Sequence, residues 1–200
     1  MQADIYALLN LNQKASIFTK IGARGKKSLS TEFWIIVNDL PQNSWFKIGK
    51  ALPNYGMRVD DHTSFIRGGN YSRTTLGLKK EGLIFVPYLD PPAIFEFGIK
   101  ILSNLHWTSS ISTNIISSYE EIANLSTQLN YSNSFNNIGY MFGTSYMKEN
   151  YFQMRGIYAG IAIKNLVYTF EVDQAENWID GSKSIAIYDE IAWEVFQGLH

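Results

Sequence analysis

In AIFEFGIKI, residues 93–101, Ala93, Phe95, Phe97, Ile99 and Ile101 fall on one side and Ile94, Glu96, Gly98 and Lys100 on the other. Such alternation marks a β-strand whose two faces meet different surroundings. It recurs in NLSTQLNYS (124–132), where Leu125, Thr127, Leu129 and Tyr131 oppose Asn124, Ser126, Gln128 and Asn130. It recurs again in IGYMFGTSY (138–146) and LVYTFEVD (166–173). In the last, Leu166, Tyr168, Phe170 and Val172 oppose Val167, Thr169, Glu171 and Asp173. A chain patterned this way throughout is constrained to an all-β fold.

The pattern predicts eleven strands, at roughly 3–11, 14–24, 31–39, 44–51, 74–88, 93–101, 123–131, 137–147, 151–163, 166–174 and 184–196. They average ~10 residues, against ~5–6 for an ordinary strand and ~9–11 for one crossing a membrane at a tilt. Short connections (NQK, PQN, DPP, NSFNN, KN) alternate with longer ones at 25–30, 52–73, 102–122 and 174–183. That rhythm predicts an antiparallel up-and-down meander in which each strand pairs with its sequence neighbours. A helical turn competes for ISTNIISSYEEIANL (111–125), without altering the class. All 200 residues read as one domain.

Charged residues make up 18% of the chain, against about 25% in a typical soluble domain. The longest apolar runs, FWIIV and AGIAI, fall far short of the ~18 residues of a membrane helix. With a net charge of −1 and scattered Lys and Arg, nothing points to nucleic acid. The absence of cysteine excludes thiolate catalysis and Cys-ligated metal.

A soluble sandwich buries its apolar faces and wets its polar ones. A membrane barrel turns the apolar face outward and keeps polar or small residues inside. Here the polar faces carry Gly, Ser, Asn, Gln, Glu and isolated Lys, rather than the dense Lys and Glu of soluble surfaces. Trp34, Trp45, Tyr88, Trp107, Tyr131, Tyr146, Tyr151 and Trp193 lie near predicted strand ends, where membrane barrels place aromatic girdles. Tyr and Trp also favour strands of any kind. The barrel reading predicts Phe95, Phe97, Ile99, Leu125, Leu129, Tyr140, Phe142, Leu166, Tyr168 and Phe170 outward. It predicts Glu96, Lys100, Asn124, Gln128, Thr169 and Glu171 on the concave side.

The chain resembles Gram-negative outer-membrane β-barrels of the porin-like type. The likeness spans nearly the whole chain as hairpins and is most specific in FKIGKALPNYGMRVDDHTSFIR (46–67). Matching residues there are Ile48, Gly49, Lys50, Pro53, Tyr55, Gly56, Arg58, Asp61, His62, Thr63 and Phe65. GIYAGIAIKNLVYTFEVD (156–173) resembles a late hairpin of such barrels. The resemblance implies an outer-membrane location, contact with membrane lipid and passive passage of small polar solutes. It implies no cofactor and no enzymatic activity, and a homo-oligomer or another outer-membrane protein as partner. Three departures stand out. Single-chain bacterial barrels have even strand numbers; the end Gly198-Leu199-His200 is not aromatic; and MQADIYALLNLNQ is no signal peptide. Together they lead to the expectation of a fragment of a larger barrel. Asp189, on the same face as Ile187, Ile191 and Trp193, predicts a bulge or shifted register in the last strand.

Within 46–67, Asp60, Asp61 and His62 sit side by side. A metal site needs convergent ligands, and consecutive residues of an extended chain point apart. No nucleophile elbow accompanies them. Two readings stay open: turn-forming residues of a solvated loop, or charges on a loop folded into a pore, facing opposite charges on its wall. The pore reading takes Arg58, Asp60, Asp61, His62, Arg67 and Arg73 as loop candidates and Lys47, Glu96, Lys100 and Glu171 as wall candidates. Glu190 and Glu194 read as lumen polarity rather than a glycosidase pair. Beside the pore stand two alternatives: a barrel that sheathes another outer-membrane component, and a soluble all-β carbohydrate-binding module.

Overall fold

A computed structural model describes residues 2–24, 27–57, 72–74, 77–79, 91–113, 122–176 and 183–194. Eleven antiparallel strands form one sheet: β1 (Gln2–Asn10), β2 (Ala15–Arg24), β3 (Lys27–Leu40), β4 (Ser44–Lys50), β7 (Ala93–Leu102), β8 (Leu105–Thr113), β9 (Ile122–Phe135), β10 (Ile138–Glu149), β11 (Phe152–Ile163), β12 (Leu166–Glu176) and β13 (Lys183–Trp193). Their order in space is their order in sequence, so the sheet is the predicted meander. It is not closed; β1 and β13 are its edges. A separate two-stranded hairpin, β5 (Ser72–Thr74) with β6 (Gly77–Lys79), lies between β4 and β7 in sequence.

The strand total agrees with expectation, but two assignments do not. Of residues 74–88, the described ones (74 and 77–79) belong to the small hairpin and not to the main sheet, and the rest lie outside the described residues. The segment 102–122, expected to be a long loop, contains β8. Leu102 pairs with Leu105 across a tight turn at Ser103–Asn104. LHWTSSIST alternates only weakly because Ser109 interrupts its outward side between Trp107 and Ile111. No α-helix occurs among the described residues; 111–113 and 122–125 are strand, and 114–121 lie outside them. The connection expected at 25–30 is also shorter, since β3 already begins at Lys27.

The turns at one end of the sheet are all short: 11–14, Pro41–Asn43, 103–104, 136–137 and 164–165. Asn136 and Asn137 both take positive φ (49° and 65°). That is the geometry of a two-residue hairpin whose twist matches its strands, and Asn tolerates it better than most residues. The connections at 51–92, 114–121 and 177–182 lie at the opposite end.

Register assigns the faces. Lys47, Glu96, Ser110, Ser126, Met147, Met154 and Ala175 are cross-strand partners on consecutive strands from β4 to β12. They and their same-parity neighbours form one face, which holds the buried residues Ile94, Asn124, Ser145, Glu171, Asp173 and Ala186. The other face is apolar and open. Phe95, Leu125, Leu129, Phe142, Leu166 and Tyr168 are exposed, and Phe97, Ile99, Tyr140 and Phe170 half-buried. The predicted faces hold. Asp189 is the correction. Its strand pairs with β12 in unbroken register, Asp189 opposite Phe170, so it stays on the apolar face between Ile187 and Ile191. Trp34 and Trp45 likewise face the buried side rather than an outer girdle, Trp34 stacking on Phe18 at 4.7 Å.

Candidate functional site: a strap across the concave face

After Lys50 the chain leaves the wall. Residues 51–57, ALPNYGM, turn onto the polar face and cross it. The Asn54 amide donates to Glu96 Oε2 of β7 at 3.1 Å, and the Met57 amide to Glu171 Oε2 of β12 at 3.2 Å. Three residues span at most ~11 Å. Five steps of a sheet at ~4.8 Å cover ~24 Å along the wall. The glutamate side chains reach in from both ends to close the difference, and with Glu96 and Glu171 fully buried under the strap the polar face is the concave one. The strap also reaches the strands between. Ser126 Oγ donates to the Asn54 carbonyl at 2.6 Å, Gln128 Nε2 to the Gly56 carbonyl at 2.6 Å, and the Gly56 amide to Ser145 Oγ at 2.8 Å.

The firmest anchor is Tyr55, fully buried, whose hydroxyl donates to Asp173 Oδ1 at 2.9 Å. The pair fits because β11 carries Gly156 opposite Asp173. A Cβ at Gly156 would lie 1.9 Å from Asp173 Oδ1 and 2.9 Å from the Tyr55 hydroxyl. Pro53, also buried, fixes φ where the strap turns inward and gives up no needed donor.

The carboxylates that hold the strap are themselves fully buried: Glu96, Glu171 and Asp173 are each 0% exposed. A buried charge is tolerated only when paired or hydrogen-bonded. Lys47 Nζ lies 2.7 Å from Glu96 Oε1 and sits 5.8 Å above the Trp34 ring. Backbone amides and the Tyr55 hydroxyl serve the other acids, bonds strengthened by the charge they meet. Asn124 Nδ2 donates to buried Glu149 at 3.2 Å in the same way.

Of the candidate charges, Lys47, Glu96 and Glu171 meet at the strap. Lys100 shares their face through its pairing with His106 but is exposed, away from the strap. Arg58, Asp60, Asp61, His62 and Arg67 lie outside the described residues. Arg73 has a described backbone in β5 and no described side chain. No group of three or more potential metal-binding side chains occurs among the described residues. Sequence reasoning missed Tyr55, Ser126, Ser145, Gly156 and Asp173 as site residues. Asp173 had a signal, sharing the face of Glu171 two residues on. Ser126 and Ser145 had none, since inward serines are common here.

The arrangement ties residues 51–57 across the polar face of the sheet from β7 to β12. Compared with family models, curated proteins and solved structures, the chain matches none.

Proposed function

We propose that the chain is part of the wall of an outer-membrane β-barrel of a Gram-negative bacterium. Its interior passes small polar solutes, and the strap at 51–57 sets the constriction. The observation that carries this reading is inverted polarity. Carboxylates, amides and hydroxyls are buried on the concave side, while large apolar side chains stand exposed on the convex side. Between the strand ends, Arg155 and Asp189 are the two charged residues on that convex face among those with described side chains. In water so continuous an apolar surface exceeds the few hundred Å2 that soluble monomers tolerate; in lipid it is at home. A soluble carbohydrate-binding module would need the opposite placement.

Hydration of the interior is favoured too. Ser110 Oγ, Asn124 Oδ1, Asn130 Oδ1, Tyr158 OH and Thr169 Oγ1 are buried on the concave face without hydrogen-bond partners. Water or a polar solute would satisfy them, sparing about 1–3 kcal/mol each.

One observation favours the sheath reading instead. On β1 the concave side carries Tyr6 and Leu8, 58% and 62% exposed, which suit contact with a polypeptide better than a water-filled lumen.

The test is biochemical. Protein extracted from its cells should partition with the outer membrane, migrate differently on gels before and after boiling, and conduct ions across planar bilayers. Membrane partition without conductance would favour the sheath. A freely soluble monomer would refute both.

A further inference from the structure

We infer that the free edge of β13 is an assembly joint: it pairs antiparallel with a β-strand of another polypeptide, which sets a Lys or Arg beside Asp189. The inference rests on the membrane reading above. All 11 residues of β13 pair with β12, and among the described residues no strand lies on the other side. In lipid no water serves a bare row of peptide N–H and C=O groups, so such an edge does not stay open. The outward side chains show the same vacancy. Ile187 and Ile191 are 62% and 69% exposed, against 37% for Leu129 and 38% for Tyr168, whose strands have neighbours on both sides.

Direction selects against the nearest candidates. β1 and β13 hold the first and last places among 11 strands whose neighbours are all antiparallel, so both edges run the same way. β1 of the same chain, or either edge of a second copy in the same membrane orientation, would meet β13 in parallel. A strand that keeps the antiparallel order is none of these. Charge describes the strand that fits. Asp189 is exposed in the middle of β13 on the convex side and makes no hydrogen bond or ion pair among the described residues. Its row across the sheet continues as Phe170, Ala159, Phe142 and Tyr131, with no base. Elsewhere on this face cross-strand neighbours answer each other: Arg155 donates to Gln174 at 3.0 Å across β11 and β12, and Lys183 lies 3.3 Å from Glu176 across β12 and β13. A strand on the free side of β13 lies ~4.8 Å away, with its opposing side chain in reach of the carboxylate. A Lys or Arg there gives Asp189 the kind of partner that Arg155 and Glu176 find within the chain.

The experiment uses the full chain in its own cells, with a photo-crosslinking amino acid in place of Ile187 or Ile191, and in place of Leu129 or Tyr168 as controls. Irradiated membranes are extracted and the crosslinked peptides sequenced. Positions 187 and 191 should join one partner peptide of alternating polarity that carries a Lys or Arg between the two contacts; positions 129 and 168 should join lipid alone. Asp189→Lys should lower the adduct at least about tenfold, the scale of a close charge pair turned repulsive. Reversing the partner's cation to Asp should restore the adduct with Asp189→Lys and lower it with the native chain. That exchange separates a charge contact from a variant that merely fails to fold, and Asp189→Asn, which keeps the size of the side chain, should give an intermediate loss. Adducts with β1, with a second copy or within the same chain would overturn the inference. So would lipid adducts alone at 187 and 191, a partner peptide without a cation, or an adduct indifferent to Asp189→Lys; each of these leaves the membrane reading standing. A chain absent from the membrane fraction would overturn both.

Discussion

Gly156 gives the residue-scale test its sharpest contrast. Gly156→Ala would drive a methyl into Asp173 Oδ1, 1.9 Å away, and displace the Tyr55 latch. Overpacking of this kind costs about 1–3 kcal/mol. At Gly139 the same change meets only the Ala162 methyl, at 3.6 Å. Urea unfolding in detergent should therefore separate the two: a clear loss for Gly156→Ala and little change for Gly139→Ala. Tyr55→Phe removes one hydroxyl and leaves a buried carboxylate short of a donor, again about 1–3 kcal/mol. Such residues are hard to read from sequence. Glu96 and Glu171 declare themselves because a charge on an alternating strand must face somewhere. Gly156 has no such mark; its role exists only because a strap from 101 residues earlier arrives beside it.

At the scale of strands the proposed membrane location assigns the two faces different solvents. Phe97 lies on the convex side, with Trp107 edge-on at 6.2 Å. Phe97→Arg should block insertion, since Arg in a lipid-facing strand costs about 2–4 kcal/mol at mid-membrane. Gln128→Arg on the concave side should insert, losing the bond to the Gly56 carbonyl and altering conductance. Fractionation and heat-modified mobility decide the first, single-channel recording the second. Equal insertion by both variants would defeat the lipid assignment of the convex face. Faces were legible in advance because period two is read from side chains alone. Strand β8 was not, because Ser109 breaks its apolar side at the centre. The segment 74–88 looked like a wall strand because apolar residues recur in it, yet nothing in such recurrence says which sheet a strand joins. Asp189 defied a different expectation: the register with β12 absorbs the acid on the open face without a bulge.

For the whole molecule, the meander was legible because tight turns leave a strand one choice of partner. The strap was not, because its bonds are spread over amides and hydroxyls that any strand could offer. Its removal gives the molecular test of the pore. Replacing residues 52–57 with Gly and Ser should raise conductance and weaken discrimination between solutes of different size, measured by liposome swelling. Unchanged permeability would mean that the strap does not lie in the path.

The strap also governs the order in which the molecule can assemble. Tyr55 and Asp173 are 118 residues apart, while each hairpin of the wall closes over a few residues. Closing a long loop is entropically costly until the intervening strands have folded. The latch therefore forms last, after the wall from β7 to β12 exists, and is absent from the folding transition state. Interactions formed late control the rate of leaving the native state rather than the rate of reaching it. Tyr55→Phe should speed unfolding severalfold and leave the refolding rate into vesicles unchanged. A hairpin change such as Asn137→Val, at a positive φ, should slow refolding instead. In this protein the strap is the bolt drawn after the walls are up, and it measures how long they stay up.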